Sequence, residues 1–312
     1  MVSVRSLVVP GLLGLAVAVV LTAPAKAGQF SQIVSFGDSL TDTGNDFILF
    51  NTPRPPYYMG RFSNGPTWVE YLAGKLGVAD PMPSVAGGTN YAYGGATAGT
   101  IFQGVPDVNT QIQTYLKKSP TADPNALYTV WVGANDFTDG QTDASIPAHA
   151  VNTALTSLIN AGAKHIVVGN MPAEGATPLV QRQGPAAVAA INALDVQFNN
   201  NLVADLNSLR AANTGVVIDL FDAYSFLNAA LQNPAAFGYT NTTDELIQNP
   251  FATNPDGYLF WDYEHPTTKG HSFVADQVFS QLVPEPGGMA LASVCGLAVA
   301  VRALRRKRAG RD

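Results

Sequence analysis

The stretch QIVSFGDSLTDTGN, residues 32–45, changes character halfway along: an apolar run ending at Phe36 gives way to Gly37 and a cluster of Asp, Ser, Thr, Gly and Asn. The run has the β-branched and aromatic residues of a buried strand, and the cluster has the residues that turns use. Similar runs return at LYTVWV (127–132), HIVVGN (165–170) and GVVIDL (215–220). Between them, WVEYLAGKLG (68–77), NTALTSLINAGAK (152–164) and the long segment 186–212 carry apolar residues at helical spacing. Strands that are apolar throughout and alternate with helices predict a mainly parallel sheet covered on both faces, and so one three-layer α/β domain.

Both ends of the 312-residue chain have another character. Residues 1–27 read as a secretory signal peptide, with Arg5 in a basic start, an apolar stretch from Leu7 to Leu21, and Ala25-Lys26-Ala27 as a small-x-small cleavage site. Residues 284–312 form a tail in which VPEP (283–286) precedes mostly apolar residues 287–301 and an arginine-rich end. As a helix those fifteen residues reach about 22 Å, short of a hydrocarbon core of about 30 Å, so a transmembrane helix there is a marginal span. The Pro-Glu-Pro, apolar and basic order resembles the PEP-CTERM sorting signal, which implies an exosortase-type processing enzyme beside signal peptidase as a partner. A plain membrane anchor is the competing reading, although it has no need of Pro-Glu-Pro.

The body, residues 28–283, keeps nine Lys and Arg against 21 Asp and Glu, a formal charge near −12. That argues against nucleic acid or anionic lipid headgroups as the main partner. The single cysteine of the chain, Cys295, lies in the tail, so the body has no disulfide, no thiolate site and no cysteine-ligated zinc.

Ser39 follows the first strand, and GAND (133–136) follows the second, so both are expected at the carboxyl edge of the sheet, where open α/β sheets bind ligands. On its own stretch Ser39 can equally be a nucleophile or a helix cap. In WDYEHPTTKGH (261–271), Asp262 precedes His265 by three residues and Pro266 keeps His265 out of the following helix. A loop histidine whose Nδ1 proton is accepted by its own carboxylate is suited to take a serine proton at Nε2. His165, opening a strand, and His149, at a helix start, read as structural or surface residues, and His271 as packing or hydrogen bonding. Gly94 and Gly95 in NYAYGGATAG (90–99), and the Asn135 amide, are candidate donors to an oxyanion. Asp38, Asp42 and Asp46 lack the spacing of a calcium loop and read as turn caps, so neither a metal nor a cofactor is expected.

Taken together, FGDSLTDTGN, NYAYGGATAG, GAND and DYEHP resemble, in order and spacing, the sequence blocks of GDSL esterases and lipases of the SGNH hydrolase superfamily. GRFSNGPTWVEYLA (60–73) and VVGNMPAEGATPL (167–179) are similar to its secreted phospholipase and haemolysin-like branch. The resemblance implies a flavodoxin-like α/β/α fold, Ser39, Asp262 and His265 as a triad, and Ser39 N–H, Gly95 N–H and Asn135 as oxyanion donors. It implies an exported esterase or lipase whose partner is an ester substrate: an acyl lipid, a small ester or an acetylated glycan. Relatives often carry a cysteine pair in the segment matching 233–256. This chain has none there, so the loop feeding Asp262 is expected to rest on packing alone or to be mobile. The aromatic, proline-rich PRPPYYMGRF (53–62) can line an acyl pocket, shape a loop over the site, or simply pack. A polysaccharide O-acetyl esterase of the extracellular matrix is the alternative reading, and a non-catalytic glycan-binding surface protein a more distant one.

Overall fold

Four strands, β1 (Ile33–Gly37), β2 (Leu127–Trp131), β3 (His165–Gly169) and β4 (Val217–Phe221), pair in parallel in that spatial order. Gly37 pairs with Trp131 and Gly169 with Phe221, so the strands end level at their carboxyl side. The computed structural model describes residues 29–99 and 104–283, which belong to one compact unit, Ala27–Pro284. The expected leader and tail lie outside the described residues, and among the described residues no helix is long and apolar enough to cross a membrane.

On the outer edge of β1 the extended segment 89–93 adds a further rung. Ser35 N donates to Thr89 O at 3.0 Å, Tyr91 N to Ser35 O at 2.7 Å and Tyr93 N to Gly37 O at 3.2 Å. The chain thus leaves β1 for one edge of the sheet and returns past it to β2. Its direction of travel reverses between these two strands, which is the switch point at which such sheets open a crevice.

The helices among the described residues are α1 (Asn45–Phe50), α2 (Trp68–Leu76), α3 (Val108–Lys118), α4 (Ala134–Thr138), α5 (Ser145–Ala161), α6 (Pro178–Gln181), α7 (Pro185–Ala212), α8 (Ala223–Gln232) and α9 (Thr268–Leu282). Because strand side chains alternate, one face of the sheet carries Val34, Phe36, Tyr128, Val130, Ile166, Val168 and Ile218 against α3, α5 and α7. The other carries Ile33, Leu127, Trp131, Val167 and Phe221 against α2 and α9. Burial on both faces explains strands with no polar alternation, and each large side chain so buried contributes about 1.5–3 kcal/mol over its exposed state. The expected three-layer α/β/α fold is the fold observed.

The end of β1 admits one residue type. Gly37 has φ +152°, and a Cβ built there would lie 2.3 Å from the Trp131 carbonyl oxygen of β2. Its backbone N–H and C=O are both bonded to the Gln111 side-chain amide of α3, each at 2.9 Å. The turn that carries Ser39 therefore leaves the sheet at a fixed point. Replacing Gly37 with Ala should destabilise the fold by about 3 kcal/mol, through strain and overpacking together. A urea midpoint unchanged from wild type would show that the Trp131 carbonyl can move aside.

Candidate active site

The turn after β1 is built by its aspartates. Asp38 accepts Leu40 N at 3.0 Å, and Asp42 accepts Gly44 N and Asn45 N at 2.7 Å each and Asp46 N at 3.2 Å. The first helix starts only at Asn45, with Asp42 satisfying its open N–H groups, so Ser39 is not a cap. The turn-cap expectation for Asp38 and Asp42 holds. Asn45 Nδ2 then donates to Asn90 O and Ala92 O, both at 2.8 Å, and Asn90 Nδ2 donates to Thr41 O at 2.7 Å. These bonds bolt the serine turn to the segment that carries Gly94 and Gly95.

His265 enters from the opposite end of the chain. Its Nε2 lies 2.8 Å from Ser39 Oγ, and its Nδ1 lies 2.7 Å from Asp262 Oδ2 and 2.9 Å from Oδ1. Asp262 Oδ1 also accepts the backbone N–H of Glu264 at 2.9 Å and of His265 at 2.7 Å, which closes the 262–265 turn on its own carboxylate. Asp262 and His265 are buried and Ser39 is half-buried. Burial opposes charge on the imidazole, but the Asp262 carboxylate, with Glu264 and Asp38 close by, raises the His265 pKa above its ordinary 6.5. Burial likewise pushes against the Asp262 charge, and the His265 ring with the turn N–H groups holds that carboxyl below its ordinary value.

The loop that feeds Asp262 is held by more than packing, contrary to expectation. Strand β5 (Asn241–Glu245) pairs in parallel with β6 (Tyr258–Phe260), directly before the 261–265 turn. Glu245 forms an ion pair with Arg182, Ile247 N donates to Trp261 O at 2.9 Å, and Lys269 Nζ reaches Gly238 O at 2.8 Å and Asp256 O at 2.9 Å. Backbone pairing and cation–carbonyl contacts do here what a disulfide can do elsewhere.

Two glycines that the sequence offers as alternatives separate in the structure. Gly94 stands against the Asp42 and Asp46 carboxylates, with its backbone N–H lowering the pKa of both, and a Cβ on Gly94 would meet Phe62 at 2.3 Å. Gly95, at φ +74°, is exposed and has open space where a Cβ would stand. Asn135, in α4, donates from Nδ2 to Ala96 O at 2.9 Å, which ties the amide to the Gly95–Ala96 turn. Ser39, Asn135 and His265 line one cleft, whose walls include Leu40, Trp131, Phe226 and Phe260. Gly95 is not among the lining residues.

The other histidines stand apart from this site. His149 Nδ1 pairs at the surface with Asp205 at 2.7 Å, and the His165 ring packs edge-on against Phe30. His271 is buried in α9 with neither ring nitrogen hydrogen-bonded, and burial pushes its pKa down to about 3. Its role is packing. Among the described residues no cluster of His, Cys, Asp and Glu is arranged to hold a metal.

A model of the GDSL-like lipase/acylhydrolase family matches residues 33–278. The chain belongs to that family. Among curated proteins this GDSL hydrolase is 29% identical over 321 residues to a phosphatidylcholine-sterol acyltransferase from Aeromonas hydrophila, covering 85% of this chain and 93% of that one. It is 27% identical over 280 residues to a thermolabile hemolysin of Vibrio parahaemolyticus, covering 82% of this chain and 65% of that longer one. It is 29% identical over 330 residues to acetylajmalan esterase 2 of Rauvolfia serpentina, covering 82% and 91%. With these relatives and the family match, the reaction class of the GDSL hydrolase is carboxylic ester hydrolysis.

The acids around the site carry a pH signature. Burial pushes Asp38, Asp46 and Asp195 up to about 7, and Asp42 up to about 6. A carboxyl whose folded pKa is raised contributes stability that is present below its unfolded value and lost as pH rises through the folded one. His271, lowered to about 3, acts in the opposite sense between pH 3 and 6.5, but it is one group against four. The urea midpoint should therefore be higher at pH 5 than at pH 8, and Asp46→Asn should flatten the slope. A midpoint that rises from pH 5 to pH 8 would show these acids to be ionised in the fold at no cost.

Proposed function

We propose that Ser39 is the nucleophile of this ester hydrolase, that His265 is its general base and then its general acid, and that Asp262 orients and supports the imidazole. The observation that carries this reading is the unbroken hydrogen-bonded line from Ser39 Oγ through His265 to Asp262, at 2.8 and 2.7 Å, opening on a mainly apolar cleft. Ser39 Oγ attacks the ester carbonyl carbon while its proton passes to Nε2, and the carbonyl oxygen gains the negative charge. Collapse breaks the bond to the alcohol oxygen, which takes the proton from Nε2, and leaves an acyl group on Ser39. Water then gives a proton to Nε2 as its oxygen attacks the acyl carbon, and collapse breaks the bond to Ser39 Oγ, which takes that proton back from Nε2 as the acid is released.

The oxyanion is assigned to the Ser39 N–H, the Gly95 N–H and the Asn135 amide. Asn135 Nδ2 uses one hydrogen on Ala96 O and retains the second for a ligand. The exposed Gly95 beside a committed Gly94 supports Gly95 as the backbone donor.

For the substrate, the cleft favours acyl chains longer than acetyl. Leu40, Trp131, Phe226, Leu227, Leu259 and Phe260 present far more apolar wall than one methyl group can cover. The name of the Aeromonas relative supports a lipid ester in particular. Export belongs to the same reading: signal peptidase would remove residues 1–27 and an exosortase-type enzyme would process the tail at 284–312. The support for both is the sequence pattern of those segments.

The test is hydrolysis of p-nitrophenyl esters from acetyl to palmitoyl by the full chain. Turnover should rise beyond acetyl and vanish in Ser39→Ala, and Asn135→Ala should lower kcat about 100- to 1,000-fold. Undiminished turnover by Ser39→Ala would move the nucleophile elsewhere, and full kcat in Asn135→Ala would remove that residue from the oxyanion site. Turnover confined to acetyl esters would return the substrate to acetylated compounds.

A further inference from the structure

Tyr57 precedes Asp262 by 205 residues, yet its Oη donates a 2.8 Å hydrogen bond to Asp262 Oδ2. That oxygen is the one nearer to His265 Nδ1, whereas both turn N–H groups bond to Oδ1. The phenol is therefore the donor that holds the oxygen facing the imidazole. Burial and the Asp262 charge push the phenol pKa up, which keeps it protonated and donating.

The position of the phenol is set by the segment around it. Its ring stands edge-on to Trp261, with centroids 5.7 Å apart, and to Phe62 at 6.4 Å, and the Phe62 ring lies 5.3 Å from the His265 ring. Beyond Phe62, Ser63 Oγ donates to Pro266 O at 2.9 Å and Asn64 Oδ1 accepts Thr268 N at 2.7 Å. Arg61 is paired with Glu70 of α2 at 2.6 Å. Residues 57–64 thus form a strap lying along the 261–268 loop, with Tyr57 at its outer end.

We propose that Tyr57 is a positioning residue of the Ser39–His265–Asp262 relay, whose hydroxyl fixes the Asp262 carboxylate and shares the charge that His265 Nδ1 senses. This rests on the reading of Ser39 as nucleophile and His265 as base. A carboxylate oxygen that accepts from Tyr57 has less charge to offer an imidazolium. Loss of the donor leaves Asp262 freer to turn and more strongly attractive to the charged ring. The first effect lowers kcat, and the second raises the His265 pKa. The other ionisable groups facing this assembly are Glu264, whose Oε1 lies 3.9 Å from His265 Nε2, with Asp38 and His271 towards the ring and Tyr263 towards the phenol. None of them is altered by a change at Tyr57.

Tyr57→Phe keeps the ring and its aromatic contacts and removes only the hydroxyl. In the full chain it should lower kcat about 10-fold with KM within about twofold, the size expected for losing a hydrogen bond to a charged group. The acid limb of kcat/KM should move up by about half a pH unit. The pH dependence of Ser39 labelling by an alkyl fluorophosphonate should move the same way, independently of which ester is used. In an Asp262→Asn background, Tyr57→Phe should have no further effect. Introducing 3-fluorotyrosine at position 57, a stronger donor of nearly the same shape, should move the limb down in pH. Unchanged kcat and pH limb in Tyr57→Phe, or a loss that adds in full to that of Asp262→Asn, would reduce Tyr57 to a packing residue. Labelling that survives Ser39→Ala would instead overturn the nucleophile assignment, so the two failures are distinguishable.

Discussion

A 2.8 Å hydrogen bond between Ser39 Oγ and His265 Nε2 joins the first turn after β1 to the last loop before α9, across 226 residues of chain. Its length allows little error on either side, because a relay displaced by an ångström loses much of its effect. Most of the polar structure buried around the cleft serves that tolerance. On one side Gly37 fits under the Trp131 carbonyl, Asp42 closes the turn, and Asn45 and Asn90 bolt it to the neighbouring segment. On the other, Asp262 accepts the backbone of its own turn and β5 braces β6.

The two sides are held by different means. The serine turn grows from the middle of the molecule, where packing on two sheet faces fixes the strand that feeds it. The histidine loop lies beyond the sheet, over a small cluster made of Ala230, Tyr239, Leu259 and Phe260. Leu227, Leu231, Phe237 and Phe273 pack against that cluster, and polar contacts add to the hold: Lys269 on two carbonyls, Thr267 Oγ1 on Tyr258 O at 2.9 Å, and Ser63 Oγ on Pro266 O. Such bonds are individually modest, about 0.5–1.5 kcal/mol each, but they are directional. Direction is what an imidazole between a hydroxyl and a carboxylate requires.

The cleft concentrates buried carboxyls around one basic ring. Asp38 and Glu174 line it, and burial raises the pKa of both. Asp262, which the His265 ring holds below its ordinary value, is the carboxylate that carries negative charge beside the imidazole, whereas the other two resist ionisation. They also tie fold stability to pH, since each acid is easier to bury protonated than ionised. The same placement thus crowds the His265 ring with acids and loads the fold with groups that resist ionisation.

Local pattern carries far in this chain. Apolar runs without polar alternation predict strands buried on both faces, and all four are found within two residues of their expected ends. Asp262 and His265 were legible as a pair because a three-residue spacing brings them together within one turn. The edge segment 89–93 was not legible, since its pairing with β1 depends on Asn90 and Tyr91 meeting a strand that lies more than fifty residues earlier. The brace of β5 on β6 was hidden as well, because NTTDE has no apolar pattern that marks a strand. Tyr57 gave no local sign, being one of several aromatic residues in a proline-rich stretch. By itself, then, the sequence determined the layered sheet, the turn that carries Ser39 and the carboxylate–histidine pair, because each depends on periodicity or on neighbours within a few residues. The tertiary structure alone decided which hydroxyl the histidine reaches, that Gly94 rather than Gly95 stands against the aspartates, and that a tyrosine 205 residues away holds the oxygen of Asp262 nearer to the imidazole. Those contacts are set by where whole segments pack, which no short window of sequence contains.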